Sequence, residues 1–335
     1  MRLTRWIALT LAGTAVAGIA RRHRRLSDVA AELRQPQLYL PMSVRSDRGL
    51  RIARQLFARA PQPELAPGVD VRTEHVPADG DRPAVRVVVH ERPGRARPSG
   101  ALLWIHGGGL VMGTADQSSP LCSRFATELG IVVVSVDYRL APEAPFPAGL
   151  DDCLAALVWI HDHADDLGID PSRVAVGGDS AGGGLAACLA QRVHDLGGPA
   201  VCLQLLQYPM LDDRTALRSA QDALVWTTAS NHYSWSAYLG HPVAEVEDRP
   251  YASAARRTDL HGLPPAWIGI GDIDLFHDES LDYARRLRDA GVPCALHVVP
   301  GMYHAADVMV PAAPSMRAFV DEMVAALRTA VVVAR

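Results

Sequence analysis

The chain has 335 residues, 49% of them hydrophobic and 21% charged, which is enough apolar material for a large core and excludes both global disorder and a small stapled fold. At about 150 residues per domain the length suggests two domains, or one large α/β unit with an added piece. The formal charge is −4, and because residues 1–25 hold six arginines and no acid, the remainder carries −10; such an acidic body lacks the clustered positive charge that a nucleic-acid partner requires.

At the amino terminus, Trp6 to Ala20 is an uncharged run of fifteen residues between Arg2 and Arg5 on one side and Arg21, Arg22, Arg24 and Arg25 on the other. It is short for a membrane span, which needs about 20 apolar residues. Ala15-Val16-Ala17 could serve as a signal-cleavage site, but four arginines directly after the apolar run oppose export. The leader therefore reads as a weak membrane-associating segment or an ordinary leading helix, and the expected location is cytoplasmic. Residues 25–66 follow as an amphipathic, Pro-punctuated stretch.

From about Asp70 onward, short apolar runs alternate with helical patterns. Ala84 to His90, Ala101 to Ile105, Ile131 to Val136, Val174 to Gly177, Val201 to Gln207, Pro265 to Ile270 and Cys294 to Val299 read as strands, short and commonly closed by Gly, Pro, Asp or Ser. Pro147 to His163, Ala181 to Leu196 and Glu279 to Ala290 read as helices between them. The alternation predicts an α/β fold with a mostly parallel sheet flanked by helices. The aromatic-rich stretch 212–252 breaks the alternation and is placed over one end of the sheet. Cys122, Cys153, Cys188, Cys202 and Cys294 are scattered, with no Cys-x-x-Cys or His-rich spacing; buried reduced thiols are expected, and no metal site.

The strongest chemical signal is Gly178-Asp179-Ser180-Ala181-Gly182 between a strand and a helical run. Strand, Gly-flanked serine and small-residue helix start together describe a nucleophile elbow, which exposes Ser180 where free backbone donors favour negative charge. Upstream, the strand ending at Ile105 runs into His106-Gly107-Gly108-Gly109. Consecutive glycines leave N–H groups unshielded, and Gly107, Gly108 and Ala181 are the natural oxyanion donors. A serine hydroxyl needs a base, and the base an orienting acid. In the recurring order Ser, acid, His, His304 is selected because it alone lies in a turn after the last strand. Asp274, after the strand Pro265 to Ile270, is the chosen acid; Asp272 and Asp278 are its rivals.

Taken together, His106 to Gly109, Asp137-Tyr138-Arg139-Leu140-Ala141-Pro142-Glu143, Gly178 to Gly183, Asp274 to Glu279 and Pro300-Gly301-x-x-His304 resemble the hormone-sensitive-lipase-like branch of the α/β-hydrolase carboxylesterases, over roughly residues 70–310. The resemblance implies an α/β-hydrolase catalytic domain at 69–335, capped by helices from 26–68 and an insertion at about 212–252. It implies a Ser180, His304, Asp274 triad hydrolysing short- to medium-chain carboxylic esters through an acyl-enzyme, with no metal or organic cofactor. Arg139 and Glu143 are expected to pair. Leu110, Trp226, Trp235, Tyr238 and Phe276 are candidate pocket residues, with simple packing the alternative for each. Leu110 and Leu275 stand where family members often carry an aromatic residue and Pro. An amidase, lactonase or acyltransferase using the same triad, or a non-catalytic small-molecule receptor, are the alternative functions.

Overall fold

A computed structural model describes residues 25–39, 43–59, 64–218 and 223–332; the leader falls outside them except for Arg25. Eight strands form one sheet: β1 (Asp70–Val76), β2 (Val85–Glu91), β3 (Ser99–Ile105), β4 (Val132–Val136), β5 (Ile169–Asp179), β6 (Gln204–Gln207), β7 (Ala266–Gly271) and β8 (Cys294–Val299). Their order is β1-β2-β4-β3-β5-β6-β7-β8. The β1–β2 and β2–β4 pairs are antiparallel, and every later pair is parallel. All residues of β3 and β4 are buried, as a parallel sheet covered on both faces demands.

Seven longer helices accompany the sheet: α1 (Asp47–Ala58), α2 (Ser119–Leu129), α3 (Ala148–Asp162), α4 (Ala181–Leu196), α5 (Thr228–Leu239), α6 (His277–Asp289) and α7 (Pro314–Val331). The predicted strands and helices are all present with small shifts. Two differ more: the fifth strand extends back to Ile169, and the sixth starts only at Gln204. β1 was not legible as a strand because Asp70-Val71-Arg72-Thr73-Glu74-His75 is largely polar and only Val76 is buried. It is an edge strand, paired on one side only.

Sequence and structure disagree on one pairing. Arg139 does not reach Glu143. Its backbone N–H, Nε and Nη2 all donate to the buried Asp152 carboxylate at 2.8–2.9 Å, while Glu143 pairs with Arg54 of α1 at 2.7 Å. Arg54 also donates to the carbonyls of Val111 and Ala141, so α1 is tied to the loops that follow β3 and β4. Cys122, Cys153 and Cys188 are buried thiols, and Cys202 and Cys294 are partly exposed. Among the described residues, no helix is long and apolar enough to cross a membrane.

Candidate active site

Ser180 occupies the single residue between β5 and α4, with φ 54° and ψ −116°. For a residue with a Cβ this backbone costs about 1–3 kcal/mol and persists only where its surroundings over-determine it. Here its N–H donates to the Gln207 carbonyl at 2.8 Å, and its own carbonyl accepts from Gly184 and Met210 at 3.1 and 2.9 Å. The first turn of α4 lies so close to β3 that a Cβ on Gly182 would fall 1.9 Å from the Ile105 carbonyl oxygen. Only glycine allows that approach, which sets the α4 N-terminus beside the end of β3.

Two loops at the carboxyl ends of β7 and β8 deliver the partners. The Ser180 hydroxyl donates to His304 Nε2 at 2.9 Å, and His304 Nδ1–H donates to Asp274 Oδ2 at 2.8 Å. All three residues are buried. The second oxygen, Asp274 Oδ1, accepts from the Phe276 N–H at 2.9 Å. Both carboxylate oxygens are thus engaged, which fixes the His304 tautomer with Nε2 as acceptor. The rival acids have other partners. Asp272 Oδ1 accepts from the Gly301 N–H at 2.6 Å, closing the loop that carries His304, and Asp278 is exposed between His277 and Arg218. Glu279 is buried and accepts from the Leu211 and Asp212 N–H groups and the Thr215 hydroxyl, anchoring the start of α6; burial pushes its carboxyl well above the usual carboxylate range.

Facing the serine is the loop 106–109. His106 is buried, stacks on Tyr138 at 4.3 Å and binds the Gly107 carbonyl through Nδ1, and burial lowers its basicity; it braces the loop. Gly108 has φ 114°, a conformation L side chains rarely adopt. Among the described residues, the N–H groups of Gly108, Gly109 and Ala181 donate to no protein acceptor. Gly107, an expected oxyanion donor, lies against the Asp179 side chain, where a Cβ would fall 2.2 Å from Oδ2. The half-buried Asp179 carboxyl is pushed up to about 7, chiefly by loss of solvent around it and then by the charge of Asp307.

A family model described as the alpha/beta hydrolase fold matches residues 102–308, a span that contains every residue of this hydrogen-bonded line. The chain belongs to the α/β-hydrolase family, in its hormone-sensitive-lipase-like branch. It is similar to carboxylesterase NlhH of Mycobacterium tuberculosis, 37% identical over 79% of this chain and 84% of that protein. The ethyl acetate hydrolase of Pseudomonas putida is 33% identical over 74% of this chain and 78% of that one. Among solved structures, a bacterial heroin esterase superposes with a TM-score of 0.86 at 38% identity, covering 91% of this chain and 99% of that one.

The candidate pocket residues of this α/β-hydrolase fall into three groups. Trp226 lies over the glycine loop, where a Cβ on Gly109 would sit 2.1 Å from its ring. Leu110, in the same loop, is buried with φ 67°. Trp235 and Tyr238 pack on each other at 5.9 Å, with Tyr238 also against Phe146. Phe276 is fully buried, its ring edge-on to His304 at 5.2 Å. It backs the imidazole rather than facing open space. Two residues escaped the sequence reading: Tyr208, the residue after β6, and Asp307, three residues after His304. Neither belongs to a recognisable motif, and the only hint was their proximity to a strand end and to the histidine.

Proposed function

We propose that the chain is a serine carboxylesterase in which Ser180 is the nucleophile, His304 the base and Asp274 the orienting acid. The observation that carries this reading is the unbroken line Ser180 Oγ, His304 Nε2, His304 Nδ1, Asp274 Oδ2, with both links at 2.8–2.9 Å. His304 Nε2 takes the hydroxyl proton as Oγ attacks the ester carbonyl. The tetrahedral oxyanion is held by the N–H groups of Gly107, Gly108 and Ala181. His304 then returns the proton to the departing alcohol. Water, activated by the same imidazole, releases the acid from Ser180.

Residues 26–68 and 212–252 are assigned to a cap over this site. Direct links between the two segments support the assignment: Ser43 to Thr227 at 2.7 Å, and Tyr233 to Asp47 at 2.7 Å. Trp226 and Leu110, crowding the glycine loop, favour short to medium acyl chains, in keeping with a relative that hydrolyses ethyl acetate. The test pairs labelled fluorophosphonate with p-nitrophenyl esters of increasing chain length. Wild type is expected to be labelled at Ser180 and to turn over acetate to hexanoate esters fastest, while Ser180→Ala does neither. Labelling elsewhere, or undiminished turnover by Ser180→Ala, would overturn the assignment.

A further inference from the structure

We propose that Asp307 is a positioning residue that clamps the loop carrying His304 to the end of β6, acting on the imidazole through Tyr208. The inference rests on the reading of His304 as the base. Asp307 lies in the short helical turn Ala306–Met309 and is buried. Its Oδ2 accepts from Gln207 Nε2 at 2.6 Å and its Oδ1 from the Tyr208 hydroxyl at 3.0 Å. Gln207 Nε2 also donates to the Tyr208 hydroxyl at 3.1 Å, which closes a three-membered polar ring inside the protein.

Both chain segments that meet at this ring carry a non-glycine residue in the left-handed region. Ala305, between His304 and the Asp307 turn, has φ 59°; Tyr208, directly after β6, has φ 35°. Such backbone is retained only where other contacts hold it, and the Asp307 carboxyl is the group that joins the two segments. The result reaches His304 through contact: the Tyr208 ring meets the imidazole edge-on at 4.8 Å, with Phe276 on the imidazole at 5.2 Å. Burial raises the Asp307 carboxyl above the usual range, opposed by the hydrogen bonds from Tyr208 and Gln207. The clamp does not depend on charge. A protonated acid, or an amide, still accepts from Gln207 and still bonds the Tyr208 hydroxyl, which can donate or accept.

This independence separates the clamp from a purely electrostatic role. In Asp307→Ala the loop loses its tie. Because misplacement of a catalytic group by about 1 Å costs on the order of 10²-fold, kcat on p-nitrophenyl acetate is expected to fall about 10- to 100-fold with KM within about twofold. The low-field proton resonance of the His304–Asp274 hydrogen bond should broaden or vanish. Asp307→Asn keeps the shape and the ring, and is expected to retain kcat within about threefold and the resonance. Tyr208→Phe is expected to lower kcat several-fold and, combined with Asp307→Ala, to add little, since both break one connection. A wild-type kcat and resonance in Asp307→Ala, or a loss in Asp307→Asn as deep as in Asp307→Ala, would overturn the proposal. If Asp307→Ala fails to fold, Tyr208→Phe decides: lowered kcat at unchanged KM supports the clamp and wild-type kcat sinks it. Failure of the triad reading is seen separately, in wild-type protein whose Ser180 is not labelled by fluorophosphonate.

Discussion

Replacing Asp274 with Asn removes one negative charge and almost no volume, so its effect follows from hydrogen-bond directions. Asp274 Oδ1 accepts from the Phe276 N–H and Oδ2 from His304 Nδ1–H. If the asparagine keeps its oxygen on Phe276, its NH2 group faces His304 Nδ1. That favours the tautomer with the proton on Nε2, which cannot accept from Ser180. If the amide flips, its NH2 group meets the buried Phe276 N–H, two donors face to face, at about 1–3 kcal/mol. The wrong tautomer is therefore the preferred state, and a loss of about 10⁴ in kcat is expected, equivalent to about 5.4 kcal/mol of transition-state stabilisation. Initial rates on p-nitrophenyl acetate near pH 7 measure it, with thermal melting to show an intact fold. Asp272→Asn and Asp278→Asn serve as controls and are expected to retain most activity, since one carboxylate binds the Gly301 N–H and the other lies at the surface. Retention of activity within tenfold in Asp274→Asn, or a deeper loss in Asp272→Asn, would refute the reasoning.

Two further outcomes concern stability. Asp152→Ala leaves Arg139 without the buried carboxylate that accepts three of its hydrogen bonds; a cost of about 3–5 kcal/mol and a fall in Tm of about 4–7 °C are expected by calorimetry, and a fall of under about 1 °C would contradict the role. Burial pushes the Glu247 carboxyl up, but hydrogen bonds from the Arg249 side chain and backbone and from His241 outweigh it and bring it down to about 2. A depressed acid stabilises the fold above its ordinary value of 4.5 and loses that contribution as pH falls toward 2. The Tm gap between wild type and Glu247→Gln should therefore close between pH 4.5 and 2, and a gap that persists unchanged at pH 2 would count against it.

Much of the sheet was legible because parallel strands buried on both faces must be apolar runs: Ala101 to Ile105 and Ile131 to Val136 announce themselves. The polar edge strand Asp70–Val76 did not, since one solvated side and one solvated face leave little apolar signal. The ion pairs behaved in the same way. Arg139 and Glu143 are four residues apart, and sequence proximity suggested a pair, yet each has a better-placed partner: Asp152 in α3 and Arg54 in α1.

What the sequence determined by itself is the local chemistry: a serine between glycines at a strand-to-helix junction, a glycine run after a buried strand, and an acid and a histidine in loops after the last two strands. Those features depend on residue type and on position relative to the nearest element, both of which a linear chain displays. Only the tertiary structure decided what each group points at. It laid Gly107 against the Asp179 side chain, and it set Asp307 against Tyr208 and Gln207, 99 and 100 residues away. Hydrogen bonds are directional and act over about 3 Å, so their partners are chosen where strands and loops converge in space, which no spacing along the chain specifies.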